Sequence, residues 1–362
     1  MKKFLGLSLM ATMFVIGGVG TASAASWRVN SNTAMGADFA DVNAAMSDER
    51  VAAGDTLYLD PSTTISTEQS VTKQVTIVGP GYLHSGVAAA PAGFSKSVTI
   101  SAKGTKFEGC TFEATVYMDA DNITIERCYL KSALSYNTLN GSSKNAKNAV
   151  IHANYFIGEY ARILGYVLNS NYYNKGWEIT NNIIYNTSTS SSSAYNAIKT
   201  LSNAIIKNNV LINGSGASLY NNNVVHDVTN SVITNNIIIH VKKKGNGMCS
   251  STVEDGNTIE NNVFGCASTA MTDYPNNTFL NTTDLSTVFV NSGGNDLVYR
   301  LCEGSPAIGA GENGMDCGAF AGDAYVPSGL PLFYPYFTGV EIPAVTTDGK
   351  LNIKLNIKTQ NE

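Results

Sequence analysis

The stretch from Ile179 to Ile184 reads ITNNII, and the same six letters return from Ile233 to Ile238. Five further segments share its pattern of an apolar residue, a polar residue, two turn positions and a closing pair that ends in an apolar residue. They are FEGCTF from Phe107, IERCYL from Ile125, IHANYF from Ile151, IKNNVL from Ile206 and IENNVF from Ile259. Successive segments start 18, 26, 28, 27, 27 and 26 residues apart. This period predicts a solenoid in which each segment is two short strands meeting at a two-residue corner.

The second corner position predicts a ladder of stacked side chains. It holds Cys110, Cys128, Asn154, Asn182, Asn209, Asn236 and Asn262. Coils stacked at the roughly 4.8 Å spacing of paired strands bring such side chains within hydrogen-bonding distance. Asparagine fits because its amide can donate to one coil and accept from the other, and we expect it to take up the left-handed backbone of the corner. Cys110 and Cys128 are then neighbours, either joined in a disulfide or stacked as thiols.

The region from about residue 98 to 265 resembles the right-handed parallel β-helix of pectate-lyase-like secreted proteins. Its flanks resemble the same family. They comprise an amphipathic stretch from Ala37 to Met46, AAGDTLYLDP from Ala52, QVTIVGPGYL from Gln74 and GSPAIGAGENGMDCGAF from Gly304. The resemblance implies an all-β fold: a right-handed parallel β-helix of three sheets, with a short N-terminal capping helix. The right hand also follows from the general rule for parallel crossovers.

The chain divides into five predicted parts. We expect a signal peptide over residues 1–24, an N-terminal cap and first strand over 25–60, the parallel β-helix over 61–300, a closing segment over 301–336 and a C-terminal β-hairpin over 337–362. A solenoid has two unpaired edges, so a helix near residues 38–48 and the closing segment should cap them. In the hairpin, the alternation of Leu351, Ile353, Leu355 and Ile357 with polar residues predicts one face packed on the helix body.

Composition and the N-terminus indicate an exported, soluble protein. Lys2 and Lys3 precede an apolar run and the small residues Ala22 to Ala24, which is the pattern of a secretory signal cleaved near Ala24. We therefore expect a bacterial protein that is secreted, periplasmic or at the cell surface. With 23 Lys+Arg against 28 Asp+Glu in 362 residues, no basic excess points to nucleic acid. We expect no membrane span in the mature chain, since no later stretch reaches about 18 apolar residues, and we expect a monomer.

The six cysteines fit an oxidising compartment. Their spacing makes three local disulfides the natural expectation, while the pairing itself cannot be derived from sequence. The pairs would be Cys110/Cys128, Cys249/Cys266 and Cys302/Cys317. None of the spacings matches a zinc site.

The resemblance implies that a ligand groove lies on the coil strands facing away from the ladder corner. Those strands, midway between ladder segments, offer tyrosines interleaved with cations. Aromatic rings stack on pyranose faces and cations pair with carboxylates or sulfates, so the pattern suits a sugar chain. The residues expected to bind substrate are Tyr117, Tyr166, Tyr195 and Tyr220. The four histidines share no repeat position, so no histidine cluster is predicted.

Three roles remain open for such a groove. The galacturonan hydrolases of this fold carry Asn-Thr-Asp, Asp-Asp, Gly-His-Gly and Arg-Ile-Lys segments, all missing here, so a hydrolase is disfavoured. β-Elimination on a uronic-acid glycan needs a cation, typically Ca²⁺ on carboxylates, and a basic side chain. Asp119 and Asp121 could hold Ca²⁺ and Arg162 and Lys199 could be catalytic. We expect recognition of an extracellular polysaccharide, with a Ca²⁺-assisted lyase or a non-catalytic structural or adhesive surface protein as alternatives.

Overall fold

Three parallel sheets wind along the chain and form a solenoid. The computed structural model describes residues 24–82, 91–136, 146–165, 167–168, 171–172, 174–188, 196–214, 223–242, 255–266, 274, 276–323, 325–330, 336–342, 350 and 353–358. In each of the three sheets, every strand except the first and the last pairs with the strands of the coils before and after it. The solenoid predicted from the repeat, and the all-β parallel architecture of three sheets that the resemblance implied, are therefore confirmed.

The first two sheets have ten strands each, and they meet at the ladder corner. Sheet 1 consists of Ser26–Val29, Thr56–Leu59, Thr76–Val78, Lys106–Glu108, Thr124–Glu126, Val150–His152, Glu178–Thr180, Ile205–Lys207, Val232–Thr234 and Thr258–Glu260. Sheet 2 consists of Thr64–Ile65, Gly93–Phe94, Thr111–Phe112, Tyr129–Leu130, Tyr155–Gly158, Ile183–Asn186, Val210–Asn213, Ile237–His240, Val263–Phe264 and Thr278–Phe279.

The third sheet has seven strands and lies opposite the ladder corner in each coil. Sheet 3 consists of Gln69–Val71, Val98–Ile100, Val116–Met118, Ala133–Ser135, Arg162–Leu164, Ile198–Ser202 and Val225–Thr229. Two antiparallel pairs stand apart from the three sheets. They are Val167–Leu168 with Asn171–Tyr172, and Tyr336–Glu341 with Lys354–Lys358.

The core is a set of apolar columns that run along the solenoid axis. In sheet 1 one column stacks the isoleucines 125, 151, 179, 206 and 233, each fully buried. Near its N-terminal end, aromatic rings fill the interior: Phe94 and Phe112 stack with centroids 5.2 Å apart. Stacking identical side chains buries a continuous dry core, which no single coil could form alone.

The asparagine ladder is present and runs one coil further than the sequence pattern suggested. The Asn209 backbone N–H and side-chain amide each donate to Oδ1 of Asn236, at 2.9 Å. The same bonds link Asn154 to Asn182, Asn182 to Asn209, and Asn236 to Asn262. Asn277 ends the ladder by accepting from Asn262 at 2.8 Å. Its segment was missed because it follows only 15 residues later and does not begin with an apolar aliphatic residue.

The left-handed residue of the corner is the one before the ladder residue, so our assignment of that conformation to the ladder position was wrong. Positive φ angles occur at Gly109, Arg127, Ala153, Asn181, Asn208, Asn235, Asn261 and Asn276. The left-handed turn aims the next side chain inward, where the ladder residue is fully buried. A second column lies at the corner between sheets 3 and 1. It holds Gly104, Asn122, Asn148, Gly176, Asn203, Asn230 and Gly256, all with positive φ.

Cys110, Cys128, Cys302 and Cys317 are free thiols, so the expected disulfides Cys110/Cys128 and Cys302/Cys317 are not formed. Cys249 lies outside the described residues, so the expected pair Cys249/Cys266 stays a prediction. Cys110 and Cys128 stack as neighbours at the start of the ladder, the second arrangement considered from the sequence. Each Sγ lies against the carbonyl two residues before it, at 3.4 Å from Glu108 O and 3.2 Å from Glu126 O. Both thiols are thus directed at the backbone.

A short helix covers the N-terminal edge of sheet 3. The helix Val42–Ser47 begins at Asp41, whose carboxylate accepts from the Ala44 N–H at 2.8 Å. Val42, Ala45 and Met46 face the core. Asn43 accepts from the Ser70 N–H and donates to the Glu68 carbonyl, so its side chain satisfies the open edge of the first strand. The helix lies within the range that the sequence predicted for a cap.

The closing region folds back along the side of the solenoid. Its contacts move toward earlier coils as the chain proceeds: Gly318 N–H donates to Asn235 O, and Asn181 donates to the carbonyls of Ala319 and Ala321. We call residues 285–329 the strap. The hairpin that follows joins none of the three sheets. Ile353 and Leu355 remain 50% and 49% exposed, so these two side chains do not form the packed face that we expected.

Candidate functional site

The outward face of sheet 3 carries one row of polar and aromatic side chains along the solenoid axis. Strand register places Ser70, Thr99 and Tyr117 side by side, continues through Ser135 and Leu164, and ends at Lys199 and His226. The strand residues on either side of this row, such as Ile163 and Ile198, point inward and are fully buried. The alternation of strand side chains therefore places the row on the outward face, where Ser135 is buried and the other members are partly or fully exposed.

Three basic side chains lie close together at the C-terminal end of this row. Lys199 pairs in register with His226 of the next coil. Arg162 belongs to the preceding coil, in the strand that pairs with the Lys199 strand, and is offset by two residues from the Lys199 position. All three are partly exposed. We call Arg162, Lys199 and His226 the basic cluster. The structure thus brings the two sequence-predicted catalytic residues onto adjacent strands and adds a histidine.

Electrostatics within the basic cluster favours an uncharged imidazole. Burial lowers the pKa of His226, and the positive charge of Lys199 lowers it further, while Asp227 acts in the opposite direction. A histidine with a lowered pKa is neutral at neutral pH and can accept a proton. The site therefore combines fixed positive charges on Arg162 and Lys199 with a neutral base.

A strained backbone follows two members of the basic cluster, Lys199 and His226. Thr200 and Asp227 come directly after Lys199 and His226, and both have positive φ, 60° and 55°. The Thr200 hydroxyl donates to Asp227 Oδ2 at 3.1 Å. Left-handed backbone at a β-branched residue is rare and costly, and such strain concentrates at functional sites. At Gly165 of the preceding coil, any side chain would collide with the Thr200 carbonyl oxygen.

Of the four tyrosines expected to bind substrate, the structure describes one. Tyr117 is partly exposed in the outward row and lines a shallow groove of about 340 Å³. Three strand spacings separate it from Lys199, or about 14 Å. Tyr166, Tyr195 and Tyr220 lie outside the described residues.

The two aspartates proposed as calcium ligands lie in different surroundings. Asp121 Oδ1 accepts from the Lys147 N–H at 2.9 Å, which places this carboxylate at the corner between sheets 3 and 1. Oδ1 of Asp119 is buried. Within the described ranges no three His, Cys, Asp or Glu side chains are grouped to hold a metal ion. Ca²⁺ takes six to eight oxygen ligands, of which two carboxylates supply only a part, and the role of Asp119 and Asp121 as calcium ligands stays a prediction.

His226 is the residue that our sequence reasoning missed, although a signal for it exists. The stretch Ala197 to Asn209 aligns with Val224 to Asn236 at an offset of 27 residues, which places Lys199 opposite His226. We compared the histidines only with each other, and they share no repeat position. Extending the repeat backwards from the ladder into sheet 3 would have found the neighbour of Lys199.

Comparisons with known proteins give this chain no family. No protein family model matches it, and no curated protein matches it. Among solved structures, a mutant of a PL6 family alginate lyase matches with a TM-score of 0.21 and 11% sequence identity. The match covers 70% of this chain and 53% of the lyase chain, so this chain spans about half the length of that lyase. In the described part of the chain, no helix is long and apolar enough to span a membrane.

Proposed function

We propose that this is an exported β-helix protein that binds an extracellular anionic polysaccharide along the outward face of sheet 3. The observation that carries the proposal is the basic cluster: Arg162, Lys199 and His226 occupy three successive strands of one face. Cations presented by neighbouring strands suit a carboxylate or sulfate group carried by a sugar chain. Tyr117 extends the same row with an aromatic surface, on which a sugar ring can stack.

Binding to a panel of uronic-acid and sulfated polysaccharides, with neutral polysaccharides alongside, tests the proposal. We expect the purified protein to bind at least one anionic member and to lose about tenfold in affinity in Lys199→Ala or Arg162→Ala, since a charge-assisted contact is worth roughly 1.5 to 3 kcal/mol. Lys147→Ala is the matched control, because that lysine is exposed at a corner beside sheet 3. Equal loss in the control, or binding that survives both cluster variants, would refute the role of the cluster.

A second candidate is a lyase, favoured by the neutral base beside fixed cations. In β-elimination the imidazole of His226 would take the proton next to the sugar carboxylate while Arg162 and Lys199 neutralise that carboxylate. The bond to the leaving sugar oxygen breaks with its electron pair, that oxygen takes up a proton, and a carbon–carbon double bond remains. The proposal needs no metal, in contrast to the Ca²⁺-assisted lyase considered from the sequence.

Ultraviolet absorbance of the unsaturated product distinguishes the lyase from a binding protein. A lyase of this kind should raise the absorbance with or without chelator, and His226→Gln should abolish the rise while polysaccharide binding persists. Loss of activity with chelator would instead support the calcium-assisted reaction. Binding without any rise in absorbance would support a non-catalytic structural or adhesive role for the same face.

A further inference from the structure

A second part of the outward face of sheet 3 differs in chemistry from the basic cluster. At its N-terminal end lies the groove of about 340 Å³, bounded by the short helix and by the first three strands of the sheet. Glu68, Ser70, Ser97, Thr99 and Tyr117 line it. Among the described lining residues, Glu68 is the one that carries a charge. This end of the face therefore offers hydroxyl groups, a carboxylate and an aromatic ring, where the other end offers cations.

The hydrogen bonds around this groove position Glu68 and leave hydroxyls along its floor. Asn43 is engaged with the backbone at Glu68 and Ser70, which fixes the wall of the groove. The Ser97 hydroxyl donates to Glu68 Oε1 at 3.3 Å in an exposed hydrogen bond, which links the carboxylate to the next strand. A carboxylate accepts from adjacent sugar hydroxyls, and serine and threonine hydroxyls both donate and accept. Tyr117 adds a ring at the inner end of the groove.

Charge decides which kind of sugar this groove can take. A uronic acid or sulfated sugar beside Glu68 would bring two negative charges together, and like charges placed against each other are strongly selected against at binding surfaces. A neutral sugar meets no such repulsion and can donate its hydroxyls to the carboxylate. The groove and the basic cluster therefore favour sugars of different charge.

The spacing between the two parts sets the length of the ligand. Tyr117 and Lys199 lie in one row, three strands apart. A sugar in an extended chain advances by roughly one strand spacing, so this span corresponds to about three sugar units. One ligand can reach both parts only if it is at least that long.

We propose that the groove is a subsite for neutral sugar, and that the preferred ligand is a heteropolysaccharide with an acidic sugar at the basic cluster and a neutral sugar about three units away. This inference rests on the proposed function, because it assumes that the acidic sugar binds at Arg162 and Lys199. It goes further by specifying charge pattern and minimum length.

Defined oligosaccharides of four to six units test the inference by titration calorimetry. One probe carries a uronic acid on every unit, a second carries a single uronic acid at one end followed by neutral sugars, and a third is neutral throughout. We expect the second probe to bind about tenfold more tightly than the first, the worth of one charge-assisted hydrogen bond. Shortening the second probe to a disaccharide should remove this advantage.

Glu68→Gln should change the affinities of the two acidic probes in opposite directions. It should weaken the single-acid probe and strengthen the fully acidic one, because it removes the negative charge and so both the charge-assisted hydrogen bonds from sugar hydroxyls and the repulsion of a second acidic sugar. Tyr117→Ala should weaken the single-acid probe alone. Glu178→Gln and Tyr58→Ala, on sheet 1, are the matched controls and should change neither probe.

The two proposals fail in different ways. If the fully acidic probe binds as tightly as the single-acid probe, or if Glu68→Gln leaves both unchanged, the neutral subsite is wrong while the proposed function stands, provided that Lys199→Ala still weakens both probes. If Lys199→Ala changes neither probe, or if no probe binds, the proposed function itself is wrong and the subsite falls with it.

Discussion

At the scale of single residues, the Asn209 side chain makes several hydrogen bonds within the ladder. It accepts from the backbone and side chain of Asn182, at 2.9 and 3.0 Å, and donates to Ile179 O, Lys207 O and Asn236 Oδ1. Asn209 makes these hydrogen bonds while fully buried. Removing the side chain leaves several buried polar groups without partners, and each such group costs roughly 1 to 3 kcal/mol.

We predict that Asn209→Ala lowers the free energy of unfolding by roughly 3 to 5 kcal/mol, measured by chemical denaturation. Asn208→Gly is the matched control one residue earlier. Glycine adopts the left-handed conformation of Asn208 readily, so we expect a change within about 1 kcal/mol there. If the two substitutions lowered the free energy of unfolding equally, the stability would not come from the inward amide of Asn209, and the prediction would be contradicted.

His226 predicts how polysaccharide binding depends on pH. Its pKa is lowered below the ordinary value of 6.5, chiefly by burial and then by Lys199, against the opposing effect of Asp227. The imidazole gains its positive charge only as the pH falls through the lowered pKa. Affinity for an anionic polysaccharide should therefore rise as the pH falls below 6.5, and His226→Gln should flatten that rise. A rise of the same size in the variant would mean that another group titrates.

The lowered pKa of His226 also affects the stability of the fold, in the direction opposite to its effect on binding. The unfolded chain binds a proton at this histidine at a higher pH than the folded protein does. Stability from this group is therefore fully present above 6.5 and is lost as the pH falls toward the lowered pKa. Acid should strengthen binding and weaken the fold over the same range. Thermal melts of the protein and of His226→Gln, recorded across that range, separate the two effects.

At the scale of elements, a buried carboxylate is one of the contacts that hold the strap on the solenoid. Asp296 is 1% exposed, and its Oδ2 accepts from the Tyr82 hydroxyl at 3.0 Å, the Tyr325 hydroxyl at 3.0 Å and the Ser328 N–H at 2.8 Å. Burial raises the pKa of both tyrosines well above its ordinary value, so both stay protonated and can donate. One carboxylate thus joins an early coil to two parts of the strap.

We predict that Asp296→Ala loosens the strap around Asp296 and Tyr325 while the solenoid stays folded. The substitution removes two buried hydrogen bonds, from Tyr82 and Tyr325, and a partly buried one from the Ser328 N–H. Limited proteolysis should cut the variant within residues 285–329 well before wild type, with the far-ultraviolet circular dichroism unchanged. Tyr58→Phe, on sheet 1, should leave the cleavage pattern as in wild type. Loss of the β-sheet signal together with strap cleavage would show that the strap and solenoid unfold as one unit.

The repeating strands and the short cap helix could be predicted from sequence, whereas the contacts that place the strap could not. The ladder strands could be predicted from a nearly constant period, because each coil buries the same core positions with the same residue types. The strap depends on contacts such as that between Tyr82 and Asp296, 214 residues apart, and no local pattern encodes them. The left-handed corner was misplaced by one residue because Asn occupies both corner positions in four of the seven aligned segments.

At the scale of the whole molecule, three columns explain why asparagine replaces charged residues in this chain. Two columns need a left-handed backbone at every coil, which asparagine and glycine adopt at least cost, and the third needs an inward amide that both donates and accepts. Only 14% of residues are charged. The few charged residues on the face of sheet 3 therefore dominate the electrostatic potential of that face.

Hydroxyl-radical footprinting with mass spectrometry tests the central claim most directly. In the presence of an anionic polysaccharide that binds, we predict that oxidation of Tyr117 and His226, on sheet 3, falls severalfold. Tyr58 and His152, on sheet 1, provide a matched tyrosine and histidine that should be oxidised as before. Protection of Tyr58 and His152 with no change at Tyr117 and His226 would contradict the claim that sheet 3 is the binding face.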